Sequence, residues 1–149
     1  MKKTSTHYAG GCLCGAVRYE LSVPLPKVVV CHCRDCQKAS GSAAAFNARV
    51  RADALKITSG TYQTFAVTAE SGEQLIRMFC AKCGSQMFSQ RESLPQMITV
   101  KIGTLDDPSK LEIGRHIWTD SAMPWNVFDD VLPRHEREFI GLRKPTNEH

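Results

Sequence analysis

Hydrophobic and polar positions alternate along most of the chain. In Val17-Arg18-Tyr19-Glu20-Leu21-Ser22-Val23 every second residue is apolar, the period of a strand with one face buried and one wet. Pro24 and Pro26 end that run, because proline cannot donate to a ladder. Val28-Val29-Val30 predicts a second strand, running straight into Cys31. Phe46, Ala48 and Val50 share one face of a third, and Leu55-Lys56-Ile57 leads into the turn signal Ser59-Gly60. Residues 61–67 and 74–79 flank Glu70-Ser71-Gly72-Glu73 and read as a hairpin whose second arm delivers Cys80. Further strands are predicted over 86–89, over 97–102 with Ile98, Val100 and Ile102 on one side, and around Leu111, Ile113 and Arg115. Thr104-Leu105-Asp106-Asp107-Pro108 is a turn. Helix is scarce: a short one through 34–38 and another over 126–132, bracketed by Pro124 and Pro133. The pattern is mainly β, with short antiparallel strands.

Composition narrows the class. A chain of 149 residues, 42% hydrophobic and 23% charged, makes one globular domain of ordinary size, expected over residues 8–135 with a polar tail over 136–149. No apolar run approaches the ~20 residues of a membrane helix. The basic start of Met1 to Tyr8 is followed by no hydrophobic stretch, so a secretory signal is not expected and the cytoplasm is. The formal charge is +4, and Glu136, Glu138 and Glu148 interleave with Arg137, Arg143 and Lys144 in the tail. That gives no electrostatic footprint for nucleic acid.

The cysteines carry the chemistry. All 7 fall into three clusters: Cys12/Cys14, Cys31/Cys33/Cys36 and Cys80/Cys83. An odd count in a reducing compartment argues against disulfides, and thiols that merely pack have no reason to cluster. Thiolates that share a metal do. Cys80-Ala81-Lys82-Cys83-Gly84 has the form of a zinc knuckle, supplying two of the four ligands a structural zinc needs. Cys12-Leu13-Cys14-Gly15 is its natural partner, since residues i and i+2 of an extended segment point to one side. An alternative pairs Cys80/Cys83 with two of the middle cluster and strands the first hook. In the preferred partition Cys31, Cys33 and Cys36 remain as three ligands with no eighth cysteine to close the set. Three ligands and an open position describe a catalytic zinc. A closed second site instead needs His32, His7, His116 or His135 as fourth ligand; His32 fits worst, because alternation points it away from its neighbours. Loading seven thiolates with two divalent cations brings the formal +4 to about +1.

Three stretches then resemble a known family: Gly11-Cys12-Leu13-Cys14-Gly15-Ala16-Val17-Arg18-Tyr19, Cys31-His32-Cys33-Arg34-Asp35-Cys36-Gln37-Lys38-Ala39-Ser40-Gly41, and Phe79-Cys80-Ala81-Lys82-Cys83-Gly84-Ser85. They look like the glutathione-dependent formaldehyde-activating family, which also includes centromere protein V. Gly103-Thr104-Leu105-Asp106-Asp107-Pro108, His116-Ile117-Trp118 and Ser121-Ala122-Met123-Pro124-Trp125 match its later signature. The resemblance implies a β-tent fold and two Zn2+ ions per chain. It implies carbon–sulfur lyase activity that joins a small-molecule thiol such as glutathione to a small aldehyde such as formaldehyde. On these motifs Cys12, Cys14, Cys80 and Cys83 match the structural zinc ligands, and Cys31, Cys33 and Cys36 the catalytic ones.

Adding a thiolate to a carbonyl needs a donor for the developing alkoxide, and Lys38 and Ser40, just past the last ligand, are candidates. His116, Trp118 and Trp125 either line a pocket or pack; Arg34, Arg49 and Arg51 can meet carboxylates of a glutathione-like thiol. The non-catalytic alternative is a zinc-stabilised binding or chaperone-like module. Exposed strand edges need covering, and a homodimer would do so.

Overall fold

The computed structural model describes residues 6–138. Its elements in chain order are β1 (Tyr8–Gly11), β2 (Arg18–Leu21), β3 (Val28–Cys31), α1 (Arg34–Ser40), β4 (Ala45–Arg51), β5 (Leu55–Ser59), β6 (Tyr62–Thr68), β7 (Gln74–Cys80), β8 (Gln86–Arg91), β9 (Met97–Lys101) and β10 (Ile113–Ile117). The protein is mainly β, in two sheets: three strands in the order β1-β2-β5 and seven in the order β10-β3-β4-β9-β8-β7-β6. The alternation seen in the sequence is realised strand by strand. Tyr19 and Leu21 of β2 bury against Val50 of β4, Met78 of β7, Phe88 of β8, and Ile98 and Val100 of β9. Tyr19 meets Phe88 edge to face, 4.9 Å between centroids. Its buried hydroxyl is satisfied by Thr104 Oγ1 at 2.8 Å, which in turn donates to the Lys101 carbonyl.

The opposite face of the large sheet is polar, and that decides where the chemistry sits. Cross-strand partners share a face; Asn47 pairs with Lys101, Arg49 with Thr99, Thr99 with Ser89, and Ser89 with Arg77. A band of cations and hydroxyls therefore crosses β4, β9, β8 and β7. Against it stands α1. Cys33 caps this helix, its Sγ accepting from the Cys36 N–H at 3.3 Å, and Gly41 ends it in the left-handed conformation at φ 64°.

Four features differ from the expectations. β1 was not anticipated, since in Tyr8-Ala9-Gly10-Gly11 a single strand former precedes alanine and two glycines; pairing with β2 imposes it. β3 and β10 are parallel rather than antiparallel. Residues 126–132 form irregular chain and bends, not a helix; the Asp129 carboxylate captures the backbone N–H groups of Val131 and Leu132. Cys12 and Cys14 lie in a turn rather than an extended segment, the Gly15 N–H donating to the Cys12 carbonyl at 3.1 Å. Among the described residues no helix is long and apolar enough to cross a membrane.

Candidate functional site

Two turns build the first cluster. Gly15 and Gly84, both at φ 78°, let the chain double back behind each cysteine hook. The Sγ atoms of Cys12, Cys14, Cys80 and Cys83 all lie within 4.8 Å of one another, with Cys12–Cys14 at 3.5 Å and Cys14–Cys80 at 3.8 Å. Four sulfurs roughly 2.3 Å from a tetrahedral zinc stand roughly 3.8 Å apart, so the donor set fits. Backbone donors are already turned to the sulfurs: Val17 N–H to Cys12 at 3.2 Å and Lys82 N–H to Cys80 at 3.4 Å. Ser85 clasps the hooks together, its Oγ accepting from Leu13 N–H at 2.9 Å and lying 3.2 Å from Cys83 Sγ. Its hydroxyl, its own N–H and that of Cys14 hold the Cys83 thiol down at about 5. Such contacts favour thiolate, the form a metal takes.

The second cluster forms where β3 runs into α1. Cys31 ends the strand, Cys33 caps the helix, and Cys36 lies in its first turn. Their sulfurs also lie within 4.8 Å of one another, and among the described residues no other His, Cys, Asp or Glu ligand atom joins them. The charge is shared unequally. Hydrogen bonds from Cys31 and Cys33 pull the Cys36 thiol far below its ordinary value, and Lys101 and Arg77 reinforce the shift. Cys31 is pushed far up, chiefly by its bonds to Cys33 and Cys36. Burial lowers the Lys101 ammonium, which donates to Asn47 Oδ1 at 2.9 Å. The two clusters can each hold a metal ion such as zinc.

His32 belongs to a separate chain. The Asn126 amide donates to its Nδ1 at 3.3 Å, which places the ring hydrogen on Nε2. That Nε2–H donates to His116 Nδ1 at 2.9 Å, and His116 Nε2–H to Asp129 at 2.9 Å. Phe128 lies against both imidazoles, 4.4 and 4.6 Å between centroids. Every ring nitrogen is thus engaged by protein, and His32 faces away from the sulfurs on either side of it, as alternation requires. His7 and His135 also stand outside both clusters.

Beside the three cysteines is a cavity of about 160 Å³. Cys31, Cys33 and Cys36 form one wall, Trp118 and Ile117 another, and the polar face of the large sheet the floor. Arg34 and Arg49 line it, as does the residue pair that sequence reasoning missed, Arg77 and Lys101. Both are buried, at 6% and 8% exposure. A sign of the pair was present: on strands of period two, each charge sits at a position facing away from the core. Several anticipated residues lie elsewhere. Ser40 Oγ is spent on the Cys36 carbonyl at 2.7 Å; Lys38 is exposed, and neither lines the cavity. Arg51 pairs with Asp53 at the surface, Trp125 is exposed, and His116 is buried in its own network.

Residues 136–138, at the start of the expected polar tail, touch the domain through particular contacts, with Glu136 and Arg137 exposed. Trp118 N–H donates to the Arg137 carbonyl at 3.1 Å, and Glu138 pairs with Arg91 at the cavity rim. The rest of that tail, 139–149, lies outside the described residues.

Comparison with known proteins agrees with this architecture. A solved Rhodobacter sphaeroides protein from a structural genomics programme superposes with a TM-score of 0.54 at 23% identity, over 70% of this chain and 98% of that one. It establishes likeness of fold. The family model for the glutathione-dependent formaldehyde-activating enzyme matches residues 7–121, which span both cysteine clusters and the cavity floor. The chain belongs to the glutathione-dependent formaldehyde-activating enzyme (GFA) family.

Proposed function

We propose that the protein is a zinc-dependent carbon–sulfur lyase that makes or breaks the bond between a thiol sulfur and an aldehyde carbon, with a glutathione-like thiol and formaldehyde or a similar small aldehyde as substrates. In this reading Cys12, Cys14, Cys80 and Cys83 hold a structural zinc, and Cys31, Cys33 and Cys36 a catalytic one. One observation carries it. The four-cysteine set supplies its own fourth ligand, whereas the three-cysteine set opens on a cavity with no fourth ligand atom among the described residues. A scaffold needs no such site.

Zinc in that position supplies activation of a substrate thiol as thiolate and fixes its sulfur in place. Three anionic ligands weaken its Lewis acidity, so the chain's own residues must orient the partners and receive the charge that develops on oxygen. Trp118 and Ile117 limit the space beside the sulfurs. The cations of the sheet face, Arg77 and Lys101, line that cavity and are the candidates to receive this charge. The test is consumption of formaldehyde by zinc-loaded protein, measured over a panel of thiols against the uncatalysed reaction. Acceleration that depends on the thiol and is lost in Cys33→Ser is expected; no acceleration with any thiol refutes the reading.

A further inference from the structure

The cavity floor carries a donor that the protein itself does not use. Arg77 is 6% exposed, lines the cavity, and its Nη1 has no hydrogen-bond partner among the described residues. Buried polar atoms are nearly always satisfied, so each exception demands an explanation. Sequence position sharpens the anomaly: Arg77 sits in mid-β7, opposite Ser89, between the apolar residues Ile76 and Met78. A guanidinium nitrogen held there without a partner is expensive. Lys101 is equally buried on the same floor, fixed by Asn47.

The acids of the cavity do not explain these charges. Glu138 is taken by Arg91, Glu73 by the Ser93 hydroxyl, and Glu70 faces Arg137 at 3.8 Å. Asp35 lies in the first turn of α1. All four belong to the wall and rim rather than to the strands of the floor.

Resting on the lyase reading above, we infer that Arg77, backed by Lys101, is a catalytic oxyanion donor: its guanidinium donates to the oxygen of the thiol–aldehyde adduct. When the thiolate attacks, an S–C bond forms and the π pair of C=O moves onto oxygen, giving an alkoxide that solvent then protonates. In cleavage the hydroxyl proton goes to solvent, an oxygen lone pair re-forms the C=O bond, and the C–S bond breaks with its electron pair returning to sulfur. Arg77 donates a hydrogen bond in both directions and transfers no proton. The alkoxide is the ligand this geometry favours over a substrate carboxylate. In the adduct the oxygen is separated from sulfur by a single carbon, and Arg77 and Lys101 line the same cavity as Cys31, Cys33 and Cys36. The carboxylates of a glutathione-like thiol lie several bonds further away.

Kinetics and a binding measurement test this separately. Arg77→Met in the zinc-loaded protein should lower kcat about 100-fold or more, equally for glutathione and for 2-mercaptoethanol, which has no carboxylate, with KM for the thiol little changed. Arg77→Lys should recover part of the loss. A rise in KM confined to glutathione overturns the inference in favour of a carboxylate anchor, and unchanged kinetics overturn it outright. Independently of any activity, formate titrated into the wild-type protein should shift the Arg77 side-chain resonance in 15N NMR. No shift at saturating formate overturns the subsite even if Arg77→Met fails to fold. A shift in a protein that consumes no aldehyde leaves the subsite standing and refutes only the lyase reading.

Discussion

Removing one sulfur from each cluster should have opposite consequences for the fold. Cys83→Ser opens a site whose ligands, Cys14 and Cys80, lie 66 positions apart, so its metal closes a long loop between β1–β2 and β7–β8. Cys33→Ser opens a site contained within six residues. Loop-closure entropy alone makes the long link worth about 2 kcal/mol more than the short one. The binding energy lost is far larger: about 10–16 kcal/mol for a structural zinc, against a whole-domain stability of about 5–15 kcal/mol. Cys83→Ser should therefore be largely unfolded. Cys33 is different again in its local role, because its sulfur caps α1. Serine is among the preferred capping residues, so the substitution keeps the helix start while removing the thiolate. Cys33→Ser should fold, retain about one zinc of two, and lose lyase activity. Far-ultraviolet circular dichroism and zinc released to a chromogenic chelator, measured on both variants side by side, decide the matter. If Cys33→Ser unfolds as completely as Cys83→Ser, the middle cluster is structural and the division of roles fails.

Three further outcomes follow from particular contacts. Asp129→Ala removes the acceptor of His116 Nε2, which is buried; a loss of about 1–3 kcal/mol is expected in denaturant unfolding, and none would show the imidazole chain to be incidental. Arg18 grips Asp106 through two hydrogen bonds of 2.8 and 2.5 Å and holds its carboxyl below the ordinary 3.8. The unfolded chain then binds the proton more tightly, so this contribution is present above about pH 4 and fades as pH falls through the lower folded value; Asp106→Asn should flatten that acid limb of the stability curve. Gly60→Ala should lower the melting temperature far more than Gly72→Ala. Both glycines have positive φ, but a Cβ on Gly60 would lie 2.1 Å from the Ala16 carbonyl oxygen while Gly72 faces open space.

Nearly every strand was legible because burial on one face leaves an alternating record. Residues 74–79 show it plainly: Ile76 and Met78 turn to the core, Leu75, Arg77 and Phe79 away from it. The cysteine partition was legible for a different reason, the arithmetic of four ligands and three. What escaped depended on contacts distant in sequence. β1 exists because β2 offers it a ladder. The parallel pairing of β3 with β10 is fixed by a connection of more than eighty residues that no local pattern records. The candidates Lys38 and Ser40 were chosen by nearness in sequence to Cys36, yet a helix turns successive residues to different sides, and only Cys36 and Gln37 of α1 are buried. Arg77 and Lys101 reach the same cavity from strands far along the chain.

The two clusters also differ in what surrounds them, and that difference bears on function more than the ligand count does. Around Cys12, Cys14, Cys80 and Cys83 the donors are backbone N–H groups and one serine, all supplied by the turns that carry the cysteines. Such a site is finished when its metal arrives. Around Cys31, Cys33 and Cys36 the stabilising charges are side chains of the opposing sheet, Lys101 and Arg77, and one of them retains an unused donor. With a divalent cation bound, three thiolates would carry a single negative charge, and the buried side chains of Arg77 and Lys101 line the same cavity. Arg77 and Lys101 are held by strands rather than by a loop. Stability alone does not require that arrangement, since an apolar floor would cost less to bury. The proposed lyase reaction, which places negative charge first on sulfur and then on oxygen, would use it.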